Sequence, residues 1–398
     1  MNAYVKRDLY LNRLIVRRDN GQIKAVTGPR RSGKSFLLDP IYKDYLLSKD
    51  VPENNIIIIS FDIEDEDTPQ ELLDREKLKE YLYSRIASQT ENYYVFLDEI
   101  QEVDGFERIV NGLNKRQNVD VYVTGSNSKF LSSEINTIFR GRSDEVSVLP
   151  FTFREFCQDR QESVNDLWKE YYTYGGLPAL RKMPTAEQKT TYLQKLWKKT
   201  YLDDVVERHN VENREALEAI ADALCSSIGS LTNTTRITNT LGSVRKIKIT
   251  DDTVAKYIGY LEEAFLFNEA RRYNIKGNKY YENIKKYYSI DVGLRNARLN
   301  YRQLEQTHLM ENIIFNELLY RGYVVDVGVV EHRKMVDGKS EYKQYEVDFI
   351  ATDGNEKYYI QSAYEIETEE KREQELNSLK RIDDSFRKIV IVKDDIMT

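Results

Sequence analysis

The sequence predicts an α/β fold in several domains, and three stretches carry that expectation. They are an apolar strand entering a glycine loop and helix at 23–38, a strand ending in paired acids at 93–101, and a strand pair at 345–363. The chain has 398 residues. Domains of about 100 to 200 residues then give about two to four of them.

Residues 23–38 read IKAVTGPRRSGKSFLL. The pattern is strand, Gly28-x-x-x-x-Gly33-Lys34-Ser35, then an apolar helix start, which is the context a phosphate loop needs. Gly28, Pro29, Arg30, Arg31, Ser32, Gly33, Lys34, Ser35 and Phe36 are the expected cradle for ATP. Glycines let the backbone turn so that successive N–H groups, with the helix N-terminus, surround phosphate oxygens. Lys34 is expected at the β/γ-phosphates, and the Ser35 hydroxyl on Mg2+.

Next, YYVFLDEIQ at 93–101 reads as a buried strand delivering two acids. Asp98 is the expected Mg2+ ligand and Glu99 the group that polarises the attacking water. A further strand, 119–123, leads into Thr124-Gly125-Ser126-Asn127-Ser128. Ser126 and Asn127 are candidate γ-phosphate sensors, although TGSNS is also good turn chemistry. In FRGR at 139–142, Arg140 and Arg142 are candidate arginine fingers for a neighbouring subunit. Surface arginines are common, so that role stays open.

Composition narrows the classes. Apolar residues make up 40% and charged residues 31%, and no apolar run approaches the ~20 residues that span a bilayer. No membrane partner is expected. The N-terminus MNAYVKRDLYLNRL lacks a secretory pattern, which makes the cytoplasm the expected location. Cys157 and Cys225 are too few for a disulfide framework, and His209, His308 and His332 lack metal-ligand spacing. Net charge is −7, which argues against nucleic-acid binding by bulk charge. Distribution changes this: residues 224–290 hold eleven Lys or Arg against six acids.

These motifs, together with VYVTGSNSKFLSSEINTIFRGR, LPFTFREF, YGGLP at 174–178 and KKYYSIDVGLRNA at 285–297, resemble the AAA-type ATP-binding proteins with a winged helix and a C-terminal region of the DUF4143 type. The resemblance covers nearly the whole chain. It implies an ATPase core over 1–150 and a helical lid over 151–212 that includes Gly175, Gly176 and Pro178. It also implies a homo-oligomer in which one subunit's arginine completes its neighbour's site, a hexameric ring being one such assembly.

The basic segment gives the third expected domain, a winged helix-turn-helix over 213–300. Residues 215–227 have helical apolar spacing, 233–244 can form a short helix, and Thr250-Asp251-Asp252-Thr253 opens a third with a capping-type start. Two strand-like runs follow around Lys276-Gly277-Asn278-Lys279, a hairpin signal. If the domain binds DNA, Thr253, Lys256 and Tyr257 are expected in the major groove and Lys276 and Lys279 at phosphates. Duplex or branched DNA is the expected partner, and protein docking the alternative. Tyr171-Tyr172, Tyr280-Tyr281 and Tyr287-Tyr288 could stack on bases, or lie half-buried.

The last expected domain, 301–398, runs helix, antiparallel strands, helix, strand, which resembles the PD-(D/E)XK nucleases: an α/β restriction-endonuclease-like unit. Glu311 or Glu317 and Asp348 match its acids. The catalytic triplet, however, reads Gln361-Ser362-Ala363, and Gln is a poor Mg2+ ligand while Ala363 cannot activate water. The expected chemistry is therefore ATP hydrolysis, with this domain kept for gripping.

Overall fold

The structure is a computed structural model that describes residues 4–62, 69–125, 138–139, 141–336, 339–366 and 368–393. The chain divides into two compact units, residues 1–160 with 177–179, and residues 161–176 with 180–398.

The first unit is built on five parallel strands: β1 (Ile23–Thr27), β2 (Ile56–Ser60), β3 (Tyr93–Asp98), β4 (Val119–Thr124) and β5 (Ser143–Ser147). Their order is β2-β3-β4-β1-β5. A parallel sheet is covered on both faces, so its strands are apolar runs rather than alternating ones. Accordingly, every residue of β1 and β4 is buried. Val95, Leu97, Val121 and Val123 pack with Phe106, Ile109 and Leu113 of the helix Phe106–Leu113. Open parallel sheets bind ligands outside the carboxyl ends of their strands. Here those ends deliver the glycine loop after β1 and the acid pair after β3.

The second unit holds the helices Arg214–Ser226, Thr234–Thr240 and Asp251–Glu263, in the expected order. The Thr250 side chain accepts from the Thr253 N–H, the cap its sequence signalled. A six-stranded sheet follows: β6 (Phe267–Asn274), β7 (Lys279–Ser289), β8 (Val324–Val336), β9 (Lys339–Asp353), β10 (Glu356–Ala363) and β11 (Arg387–Val392), ordered β11-β10-β9-β8-β6-β7. The expected wing is thus not a separate hairpin. β6 pairs in parallel with β8 through Arg272–Val327 and Asn274–Val329, so the hairpin and the C-terminal strands share one sheet across the expected boundary at residue 300.

Two of the recognised motifs meet here for a steric reason. The Gly176 N–H donates to Asp291 Oδ2 at 2.8 Å, and a Cβ on Gly293 would lie 1.8 Å from the Tyr174 carbonyl oxygen. YGG and DVG are therefore two halves of one tight backbone contact. Asn296 Nδ2 closes it by donating to the carbonyls of Tyr172 and Thr173 at 2.8 and 3.0 Å.

Candidate active site

The loop after β1 needs its glycines. Gly28 has φ +132°, and a Cβ there would stand 2.2 Å from the Val148 carbonyl oxygen. Gly33 has φ +94° and, between them, Arg31 has φ 65°, so the loop uses the left-handed region repeatedly. Lys34 folds back into it, donating to the carbonyls of Gly28 and Pro29 at 3.1 and 3.0 Å. Burial pushes the Lys34 ammonium below its ordinary pKa, while Glu99 and Asp98 oppose that shift. Ser32 is fully buried, and its hydroxyl has no partner among the described residues.

From β3, Asp98 is bonded by the Thr124 hydroxyl and by the Ser35 side chain. Burial raises its pKa, and these two hydrogen bonds lower it. A hydroxyl and a carboxylate converging beside a buried lysine form a hard-oxygen set that suits Mg2+. A cavity of about 290 Å3 opens there, lined by Ser35, Ser60, Asp62 and Asp98 among others. Glu99 adopts a left-handed conformation, φ 50° and ψ 41°, and its N–H donates to Thr124 Oγ1 at 2.9 Å. Thr124 thus fixes both acids, a role that reading the strand ends one at a time did not find.

The loop has a second support that the sequence reading missed. Arg7 is 2% exposed, and its Nη1 donates to the Ser32 carbonyl at 2.9 Å and its Nη2 to the Leu149 carbonyl at 2.8 Å. Glu155 takes Nε and Nη2 at 3.2 and 3.3 Å. A trans peptide points its C=O and N–H in opposite directions. Anchoring the Ser32 carbonyl therefore turns the Gly33 N–H away from Arg7.

The remaining expected site residues fall out as follows. Ser126, Asn127 and Arg140 lie outside the described residues. Arg142 is exposed, and its carbonyl accepts from the Ile23 N–H at 2.8 Å. That places it at the start of β1, the end remote from the loop. Phe36 is 47% exposed and meets the Tyr4 ring edge-on at 5.8 Å. In the second unit Thr253 is half-buried, and Lys256, Lys276 and Lys279 are exposed. Tyr257 is not available to a groove: it is 6% exposed, on the same face as Val254, Ile258 and Leu261. Tyr171, Tyr172, Tyr287 and Tyr288 are likewise buried, which leaves Tyr280 as an exposed ring.

Strand parity corrects the expected nuclease-like edge. Ile360 and Tyr358 pack with Met310 and Phe315 of the helix Gln306–Arg321, whereas Tyr359 packs with Leu379 of the helix Glu369–Lys380. Gln361 belongs to the second face: its side chain meets Glu375 and Ser378, each at 3.4 Å. Asp348 lies on the first face, close enough to Glu311 for the two carboxylates to repel. Gln361, and by alternation Ala363, therefore do not face Asp348. What does is Lys286 of β7, which donates to Glu311 at 2.9 Å and Glu346 at 2.7 Å. Burial, then Glu311, raises Asp348 to about 7, opposed by Lys286 and the Ser362 N–H. Among the described residues no group of three or more His, Cys, Asp or Glu is arranged to hold a metal ion.

Comparison with known proteins agrees with the first unit. Residues 20–157 match the family model described as an AAA domain, and residues 165–305 match a domain of unknown function, DUF8612, where the sequence resemblance had pointed to DUF4143. An uncharacterized protein of Haemophilus influenzae is 34% identical over 394 residues, 98% of this chain and 93% of that protein. The chain belongs to the same family of AAA-domain proteins. An uncharacterized protein of Methanocaldococcus jannaschii is 29% identical over 88% of this AAA-domain protein and 77% of its own length. The fold is similar to that of a Walker-type ATPase of Pyrococcus abyssi, with TM-score 0.52 and 15% identity over 74% of this chain and 96% of that one. Family and fold together identify an α/β phosphate-loop ATPase core. Among the described residues no helix is long and apolar enough to cross a membrane.

Proposed function

We propose that this AAA-domain protein hydrolyses ATP, with Mg2+, at the carboxyl ends of β1 and β3, and that it engages DNA through the basic segment of its second unit. The observation that carries the first part is the meeting of Ser35 with Asp98 beside buried Lys34. Lys34 exchanges two carbonyl partners for phosphate oxygens, and the Gly33 N–H, turned away from Arg7, adds a donor to the cradle. Ser35 and Asp98 would hold Mg2+, which neutralises charge on the β/γ-phosphate oxygens. Glu99 receives the proton of the attacking water, its backbone fixed by Thr124. Arg142, at the far end of β1, serves a neighbouring copy in a homo-oligomer.

Steady-state hydrolysis tests this. Lys34→Ala loses nucleotide affinity, whereas Glu99→Gln keeps binding and slows turnover by about 10²–10⁴-fold. A Glu99→Gln protein that hydrolyses at the wild-type rate refutes the assignment of the base.

DNA engagement rests on the eleven-to-six excess of basic residues over 224–290 and on exposed Lys256, Lys276 and Lys279. Duplex, single-stranded and branched DNA are each tested for binding and for stimulation of hydrolysis at low salt, where phosphate contacts are strongest. No binding and no stimulation by any of them removes this part. A protein partner is the second reading, favoured by Asp251 and Asp252 at the leading turn of the third helix, which repel phosphate. Nuclease-resistant capture of one dominant protein in the ATP state would support it. Phosphodiester cleavage is not expected, because Glu311 is tied up with Lys286 and the neutral Gln361 lies on the other face of β10 from Asp348.

A further inference from the structure

The Glu99 backbone is secured by Thr124, but a carboxylate that polarises water also needs its side chain held. Glu99 sits in a left-handed conformation, which a non-glycine residue keeps only when its surroundings impose it. One neighbour holds its side chain. Gln101, 6% exposed, lies two residues on in the turn Ile100–Glu102. Its Nε2 donates to Glu99 Oε2 at 2.5 Å and reaches Glu102 Oε1 at 3.4 Å.

Those two acceptors fix which way the amide points. Turned over, its carbonyl oxygen would face carboxylate oxygens on both sides, and only the NH2 group can donate to them. The other end of the amide is different. Gln101 Oε1 is buried and has no partner among the described residues. A glutamine kept for packing would satisfy both ends or give way to an apolar residue, since a buried unpaired acceptor is costly. Among the described residues this side chain is anchored through its NH2 group alone, at carboxylates.

We propose that Gln101 is a positioning residue for hydrolysis: by donating to Glu99 Oε2 it holds the carboxylate in the orientation from which it takes the proton of the attacking water. Glu99 is then held through its N–H by Thr124 and through its carboxylate by Gln101. This rests on the reading of Glu99 as the base.

The informative variant is Gln101→Met, which keeps nearly the same volume and has no N–H to donate. It is measured in the full chain for kcat, KM and ADP affinity, alongside thermal unfolding. The expected result is a kcat lower by about 10- to 100-fold, the usual cost of removing a group that orients a functional ligand. KM and ADP affinity stay within about twofold, because the phosphate loop is untouched. In a Glu99→Gln background, Gln101→Met should produce no further loss of single-turnover rate, since both changes remove one function.

A Gln101→Met protein with wild-type kcat overturns the proposal. So does a loss shared equally by kcat, ADP affinity and unfolding temperature, or an undiminished loss in the Glu99→Gln background. Should Glu99→Gln alone leave hydrolysis intact, it is the assignment of the base that fails. Should Glu99→Gln abolish hydrolysis while Gln101→Met does not, only the positioning role fails.

Discussion

Replacing Arg7 by Met separates two consequences of one guanidinium. The group lies between the rings of Tyr10 and Phe151, 4.6 and 5.1 Å away, and serves the carbonyls of Ser32 and Leu149 and the carboxylate of Glu155. Glu155 is 5% exposed in its side chain, so Arg7→Met leaves a buried carboxylate without its cation, a change that costs about 3–5 kcal/mol. Adding Glu155→Gln removes that charge, and the neutral amide oxygen can still accept from the N–H of Thr152, the N-cap of the helix Phe153–Phe156 to which residue 155 belongs. The double variant should then lose only about 1–3 kcal/mol, for two carbonyls deprived of a donor. Nucleotide affinity should not follow this recovery. Without its anchor the Ser32 carbonyl no longer directs the Gly33 N–H, and one hydrogen bond to a charged phosphate is worth about 1.5–3 kcal/mol, at least tenfold in Kd. Urea unfolding reads the first quantity and titration with a fluorescent nucleotide the second. If the double variant binds nucleotide as tightly as wild type, Arg7 serves only stability and the peptide-orientation argument fails.

Three further outcomes are expected. Gly28→Ala places a Cβ 2.2 Å from the Val148 carbonyl at φ +132°, so the loop must shift, and nucleotide titration should show loss of binding while the sheet still folds by circular dichroism. Asp348 has a folded pKa of about 7, above its unfolded value, so the native state holds the proton more tightly. Its contribution is full below about pH 4 and is lost as pH rises through about 7. The urea midpoint should fall between pH 5 and 8, and Asp348→Asn should flatten that fall; an unchanged slope refutes it. If DNA lies along the hairpin, Lys276→Glu with Lys279→Glu should weaken binding across all sequences and reduce the slope of log K against log salt by about 2.

Much of the first unit could be read from the sequence because its signals are contiguous. Gly28 to Ser35 and Asp98-Glu99 each declare strand, turn and chemistry within a dozen residues, and Thr250 announces its helix in the same way. Pairings across long separations were not legible. Arg7 meets Glu155 148 positions away, and Lys286 meets Glu311 25 positions away on another element. Nothing in local spacing reports such partners. The facing of β10 was missed for a related reason. Its alternation is visible, but which parity meets Asp348 depends on the register irregularity between Asp326 and Gly328, where β8 steps past β9. Three steps of β9 there oppose two of β8, and that extra residue exchanges the two faces of β9 on either side of it. The wing was misjudged because a hairpin signal says nothing about a third strand, and β8 arrives fifty residues later to pair with it.

The parity of β10 also bears on protein engineering. Restoring the missing letters, with Gln361→Glu and Ala363→Lys, would reproduce a nuclease signature on paper yet leave the enzyme no closer to cutting. The new carboxylate at 361 would emerge beside Glu375 and Ser378, and position 363 shares its parity, so both would lie on the other face of the strand from Asp348. The positions in line with β10 that share a face with Ile360 and Asp348 are Ser362 and Tyr364. An acid and a lysine meant to work with Asp348 would have to stand there, one residue along from the letters that the motif suggests.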